Sequence, residues 1–196
     1  MFTKTKVHGR ENIPKEGPFI IITNHFSYVD PIFVIHAVQK PISFLAASDQ
    51  KIKWYFIWAP FIYGFIPTNR KVLAPSTIKH ATRALKDNEI LGVFPEGTST
   101  SSKLRPAKNG AAYLSALTES RMLPIGISGL ENVWKQLFRG IKPKVTINIG
   151  RSFGPFLLPK NRKKKEGCLL EIGNEAMYRI AALLPKEQRG GFYIKP

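Results

Sequence analysis

The run Phe19-Ile20-Ile21-Ile22-Thr23, followed directly by Asn24-His25-Phe26-Ser27-Tyr28-Val29-Asp30-Pro31, constrains this chain more than any other stretch. Four consecutive apolar residues of β-rich type are too few for a helix and read as a central strand. Asp30 is a good helix N-cap, and Pro31 suits the first helical position, where a missing N–H costs nothing. The segment therefore predicts a strand, a tight turn and a helix, with His25 in the turn. In a continuous helix His25 and Asp30 would stand roughly 140° apart and share no face. A tight turn instead folds the carboxylate back toward the imidazole. Histidine titrates near neutrality, and an aspartate on one ring nitrogen fixes the tautomer and leaves the other nitrogen to take a proton. That is a base with its orienter. No Ser or Cys is placed as a nucleophile, so the nucleophile belongs to the substrate.

The rest of the chain repeats the strand-and-helix rhythm. Val7 to Pro14 reads as a short strand or extended lead-in, and Lys15-Glu16-Gly17-Pro18 as a turn. Pro31 to Gln39 is a short helix carrying His36, a core or half-buried histidine. Ile42 to Ala46, Ile90 to Phe94, Leu123 to Ser128 and Lys144 to Ile149 read as strands, and Gly64 to Arg70 as a strand ending in a polar turn. Pro75 to Asp87 is a helix with Ile78, Ala81 and Leu85 at helical spacing. A helix opens near Gly110 with Ala111, Leu114 and Leu117 inward, and Cys168 to Leu184 is amphipathic. Glu131 to Phe138 is ambiguous, and Gly190 to Pro196 reads as a loose tail. Alternating strands and helices imply an α/β sandwich, one mixed and largely parallel sheet flanked by helices, with residues 1–196 as a single domain.

Charge decides the class of partner. The chain carries 30 Lys and Arg against 13 Asp and Glu, a net +17. It should seek polyanions: nucleic acid, an anionic membrane surface or phosphorylated substrates. The single Cys168 rules out an internal disulfide and suits the cytosol. Met1 to Asn12 has charges but no apolar core, so no signal peptide is expected there. The best apolar run, Trp54 to Asn69, is broken by Pro60, Gly64 and Pro67 and falls short of the roughly 20 residues a spanning helix needs. Lys51 and Lys53 beside Trp54, Tyr55, Phe56, Trp58, Phe61 and Tyr63 have the composition of a membrane-interface element, and equally of a helix buried all round. His8, His25, His36 and His80 show no metal-ligand spacing, and no metal is expected.

Downstream, Phe94-Pro95-Glu96-Gly97-Thr98 follows a strand directly. Pro95 stiffens the turn and Gly97 permits a positive φ and close backbone approach. Glu96 braces the turn or binds a substrate hydroxyl. Together with His25…Asp30, the Gly64…Arg70 spacing, and Leu123-Pro124-Ile125, this stretch resembles the glycerolipid acyltransferases. The resemblance spans about residues 7–128 with four boxes in order, and His25…Asp30 matches the family's H-x-x-x-x-D box.

The resemblance implies transfer of an acyl group from an acyl thioester to the free hydroxyl of a lysophospholipid. The foremost acceptor is 1-acylglycerol-3-phosphate, giving phosphatidic acid in phospholipid biosynthesis. His25 and Asp30 are then the catalytic pair, and Arg70 holds the acceptor phosphate. Glu96, Gly97 and Thr98 belong to the substrate site, and Asn24 and Ser27 shape its turn. Many members carry arginine after the threonine, whereas this chain has Ser99; Lys103, Arg105 or Lys108 replaces it. The co-substrate is acyl-CoA or acyl carrier protein, with no cofactor. The expected place is peripheral, on the cytoplasmic face of an anionic membrane. The rival from charge alone is a nucleic-acid- or lipid-binding protein without catalysis, although the basic residues are dispersed and match no nucleic-acid motif.

Overall fold

The computed structural model describes residues 3–47, 64–68, 74–97 and 101–192. Among the described residues seven strands form one sheet: β1 (Lys4–His8), β2 (Phe19–Thr23), β3 (Ile42–Ala47), β4 (Gly64–Thr68), β5 (Ile90–Val93), β6 (Arg121–Ser128) and β7 (Lys144–Ile149). Their order is β1-β7-β6-β2-β5-β3-β4. Among these strands the β6–β7 pair is antiparallel and every other pair is parallel, so five strands run one way and the β1–β7 pair runs the other. The mixed, mostly parallel sheet expected of the pattern is present. Among the described residues five helices cover it: α1 (Asp30–Val38), α2 (Pro75–Lys86), α3 (Gly110–Thr118), α4 (Val133–Phe138) and α5 (Arg162–Ala182).

The alternation along β2 explains the layers. Successive side chains of a strand point to opposite faces. Ile20 and Ile22 enter one apolar cluster with Ala81 and Leu85 of α2, Leu114 of α3, and Ile172, Met177 and Ile180 of α5. Phe19 and Ile21 enter the other, with Val34 and Val38 of α1 and Val133 of α4. All five β2 residues are buried, as befits a strand covered on both faces. Each of the four apolar ones contributes about 1.5–3 kcal/mol by leaving water.

Several expectations need correction. The first strand is Lys4–His8, and Gly9 at φ 82 turns the chain into a 3-10 turn at Arg10–Asn12. Asp30 is not the N-cap of α1: Val29 takes that place without a side-chain cap, and the Asp30 carboxylate is engaged elsewhere. Leu117 is half exposed, because α3's inward stripe is made by Ala111, Ala112, Leu114 and Ser115. The last long helix begins at Arg162, ahead of Cys168, so Arg162, Lys163, Lys164 and Lys165 lie in its first turn, capped by Asn161 accepting the Lys163 and Lys164 amides. Glu131 to Phe138, left open by its sequence, yields helix α4. The tail is not loose up to residue 192. Gly190, at φ 59, passes so close to the Leu104 carbonyl that a Cβ would not fit, and Phe192 is buried edge-on against Tyr178.

Candidate active site

At the carboxyl edge of the sheet, β2 and β5 are paired in parallel, Ile22 beside Val93. The turns that follow them therefore leave the sheet side by side. The turn after β2 carries His25 and the turn after β5 carries Glu96. This is the crevice position in which open parallel sheets bind ligands.

His25 Nδ1 lies 3.0 Å from Asp30 Oδ2. The same oxygen accepts the Ser27 N–H at 2.8 Å, while the Asp30 N–H donates to the Ser27 carbonyl at 3.2 Å. This reciprocal closure folds the five-residue spacing back on itself. Asp30 is 1% exposed at its side chain and His25 is 17% exposed. Burial pushes the Asp30 carboxyl above its usual range, opposed first by the imidazole hydrogen bond. Among the described residues, His25 Nε2 has no hydrogen-bond partner. One nitrogen is thus held and the other is left for chemistry.

The imidazole is fixed on two further sides. Its ring stacks on Phe94, centroids 4.1 Å apart and planes 28° apart. Its backbone N–H donates to Glu96 Oε1 at 3.1 Å. Glu96 is fully buried at its side chain, and Oε2 accepts the Arg105 N–H at 3.2 Å, with the guanidinium Nε at 3.6 Å. Burial pushes the Glu96 carboxyl up, opposed by the His25 and Arg105 amides. Of the two roles left open for Glu96, the geometry gives it the bracing one. The neighbouring Lys108 N–H bonds the Pro95 carbonyl at 2.9 Å, and the Lys108 side chain lies over Gly97, whose φ is 72.

The other named residues divide. Asn24 is fully buried, and its amide clasps β6 by donating to the Ile127 carbonyl at 2.9 Å and accepting the Ile127 N–H at 2.8 Å. It shapes the turn and is not brought into the crevice. Ser27 acts through its amide on Asp30. Arg105 joins the site through Glu96, and Lys103 is exposed beyond it in a local loop with Ser101. Arg70, Thr98, Ser99 and the segment from Lys51 to Tyr63 lie outside the described residues. The amides of His25, Ser27 and Asp30 are all engaged, so those three are not available to an oxyanion. Sequence reading missed the Phe94 ring as the imidazole's support and the Ile127 clasp. Phe94 sits at the end of a strand adjacent to β2, a signal that strand pairing would have exposed.

Residues 4–128 match the acyltransferase family. The chain is 32% identical over 144 residues to the 1-acyl-sn-glycerol-3-phosphate acyltransferase of Bacillus subtilis, spanning 72% of this chain and 71% of that one. It is 30% identical over 133 residues to the enzyme of the same name from Borreliella burgdorferi, covering 66% of this chain and 53% of that one. The crystal structure of the 1-acyl-sn-glycerophosphate (LPA) acyltransferase PlsC from Thermotoga maritima superposes with a TM-score of 0.64 at 24% identity, over 88% of this chain and 70% of that one, and so shares the fold. The matched region contains the whole His25, Asp30 and Glu96 constellation, and the chain belongs to the acyltransferase family.

Proposed function

We propose that this acyltransferase moves an acyl group from an acyl thioester to the free hydroxyl of 1-acyl-sn-glycerol-3-phosphate, giving phosphatidic acid. The observation that carries the reading is the His25–Asp30 hydrogen bond, with Nε2 left unengaged among the described residues. Nε2 removes the proton from the acceptor hydroxyl as that oxygen attacks the thioester carbonyl. The tetrahedral intermediate collapses, the C–S bond breaks, and the imidazolium returns the proton to the leaving sulfur. Asp30, itself buried, keeps the ring in the required tautomer and stabilises the imidazolium.

The acceptor phosphate is assigned to basic side chains, with Arg70 first, since a guanidinium grips phosphate through paired hydrogen bonds. Lys103, Arg105 and Lys108 follow the Glu96 turn and would supply the cation that Ser99 does not. Gly97 lies in that turn, and Thr98 follows it in sequence. The donor is acyl-CoA or acyl carrier protein, and the acceptor is met at an anionic membrane surface, on its cytoplasmic side. The rival reading, a nucleic-acid- or lipid-binding protein without catalysis, has neither the family match nor an ordered base in its favour.

The test is thiol release from acyl-CoA in the presence of a panel of lysophospholipids, with the product identified by mass. Release that depends on a phosphate-terminated lysolipid supports the assignment. Equal release with lysolipids of every headgroup would overturn the acceptor.

A further inference from the structure

The net charge and the lipid acceptor ask where this chain meets a bilayer. Among the described residues no helix is long and apolar enough to cross one. The structure offers a surface instead, on a segment whose sequence alone was ambiguous. Helix α4 has one buried residue, Val133, while Trp134 is 51% exposed and Phe138 88% exposed; Ile141, just past the helix, is 54% exposed. Trp134 and Phe138 are four residues apart and share one side of the helix. Lys135 and Arg139 form the neighbouring stripe, and Lys142 follows Ile141, all three exposed. No Asp or Glu falls between Glu131 and Glu166. Three large apolar side chains in water beside a one-sign fringe are costly as a solvated surface, and the combination suits an interfacial element.

The position within the fold strengthens this. Thr23 pairs in parallel with Ile125, so the chain leaving β6 toward α4 emerges at the same sheet edge as the His25 turn. Leu130 and Val133 root α4 in the apolar cluster that also holds Val29 and, from α1, Val34. The Asn24–Ile127 clasp ties the turn after β2 directly to the end of β6.

We propose that α4 and its exit form a docking surface for an anionic lipid bilayer. Trp134, Phe138 and Ile141 enter the interface, and Lys135, Arg139 and Lys142 lie over the headgroups. This deepens the proposed function, resting on it for the claim that the acceptor is taken from a membrane. Docked this way, the edge that carries His25 faces the leaflet. The fringe gives a salt-sensitive attraction, and the apolar group gives one that salt does not screen.

The experiment is co-sedimentation with phosphatidylglycerol–phosphatidylcholine vesicles at low and high salt. It compares wild type, Trp134→Ala with Phe138→Ala, and Lys135→Glu with Arg139→Glu. All four positions are exposed, so thermal midpoints should stay near that of wild type. The apolar pair should weaken high-salt binding by about tenfold or more, and the charge pair should weaken low-salt binding by a similar factor. Turnover of a short-chain lysophosphatidate dissolved as monomer should persist in the apolar pair, while turnover of vesicle-embedded acceptor falls. Wild-type binding by both variants overturns the surface. So does a wild-type dimer that the apolar pair makes monomeric with vesicle binding unchanged, since the patch then joins two copies. If wild type releases no thiol with either acceptor, the proposed function fails, while the vesicle data still judge the surface.

Discussion

Glu96 holds the backbone of His25: the carboxylate accepts the His25 N–H at 3.1 Å on one oxygen and the Arg105 N–H at 3.2 Å on the other. The residue that a sequence reader would hand to the substrate is fully buried and ties two loops of the crevice together. Glu96→Gln keeps the shape but presents an amide NH2 to one of the two N–H donors. A buried donor without its acceptor costs about 1–3 kcal/mol. If Glu96 positions His25, kcat should fall several-fold while the KM of the acyl thioester stays near the wild-type value. Loss of stability with kcat intact would leave Glu96 a purely structural brace.

The same carboxylate predicts a pH dependence. Burial raises the Glu96 carboxyl above its ordinary value of 4.5, more than the two amides lower it. The folded protein then holds this proton to higher pH than the unfolded chain does. Its contribution to stability is complete below about 4.5 and is lost as pH rises through the raised value. Asp30 has the same sign from its own ordinary value of 3.8. The stability of wild type relative to Glu96→Gln should therefore be greatest at acid pH and shrink toward neutrality. Urea midpoints for both proteins over a pH series measure this, and a gap that widens with pH reverses the assigned shift.

The His25–Asp30 pair predicts a graded loss. His25→Ala removes the base and should lower kcat by the ~10²–10⁴-fold typical of a positioned general base. Asp30→Asn keeps a group beside Nδ1 but removes the charge, so its loss should be smaller and still large. Steady-state thiol release with purified, folded variants decides. A His25→Ala enzyme near the wild-type rate would sink the mechanism.

How far the sequence could be read follows from where the information lay. Strand β2 and the turn after it were legible because an unbroken apolar run and Asp30-Pro31 are local signals. The role of Asp30 was half legible: its pairing with His25 followed from spacing, but its assignment as a cap did not survive, since the helix begins one residue earlier, with Asp30 inside its first turn and Val29 at the cap. Asn24 reads as a turn residue, yet its partner is Ile127, and only strand pairing brings the two together. Helix α4 was opaque because six residues hold too few turns for a period to show, and its apolar residues point outward as well as in.

Arg70 carries the acceptor prediction. Arg70→Ala should raise the KM of a phosphate-bearing acceptor and leave that of the thioester donor nearly unchanged. The loss should be about 1.5–3 kcal/mol, the range for a hydrogen bond to a charged group. Equal effects on both substrates would remove Arg70 from the phosphate site.

The last prediction follows a line of contacts into the site from a residue with no side chain. Gly92, in β5, is covered by the Phe44 ring, so a Cβ there would press against ring carbons with no room to move. Phe44 is buried in β3 and stacks on Phe94 at 5.8 Å, and Phe94 stacks on His25 at 4.1 Å. Gly92→Ala should thus do two things. It should overpack the core at a cost of about 1–3 kcal/mol. It should also displace Phe94, and with it the imidazole, so that kcat falls more than either substrate's KM rises. Adding Phe44→Leu gives the new methyl space and should recover much of the stability, but not the activity, because the ring that braces Phe94 is then gone. Urea midpoints and thiol-release kinetics on the single and double variants separate the two effects. If Phe44→Leu restores both together, packing alone explains the loss and Phe44 does not brace Phe94; if Gly92→Ala is as stable as wild type, the Phe44 ring does not confine this strand.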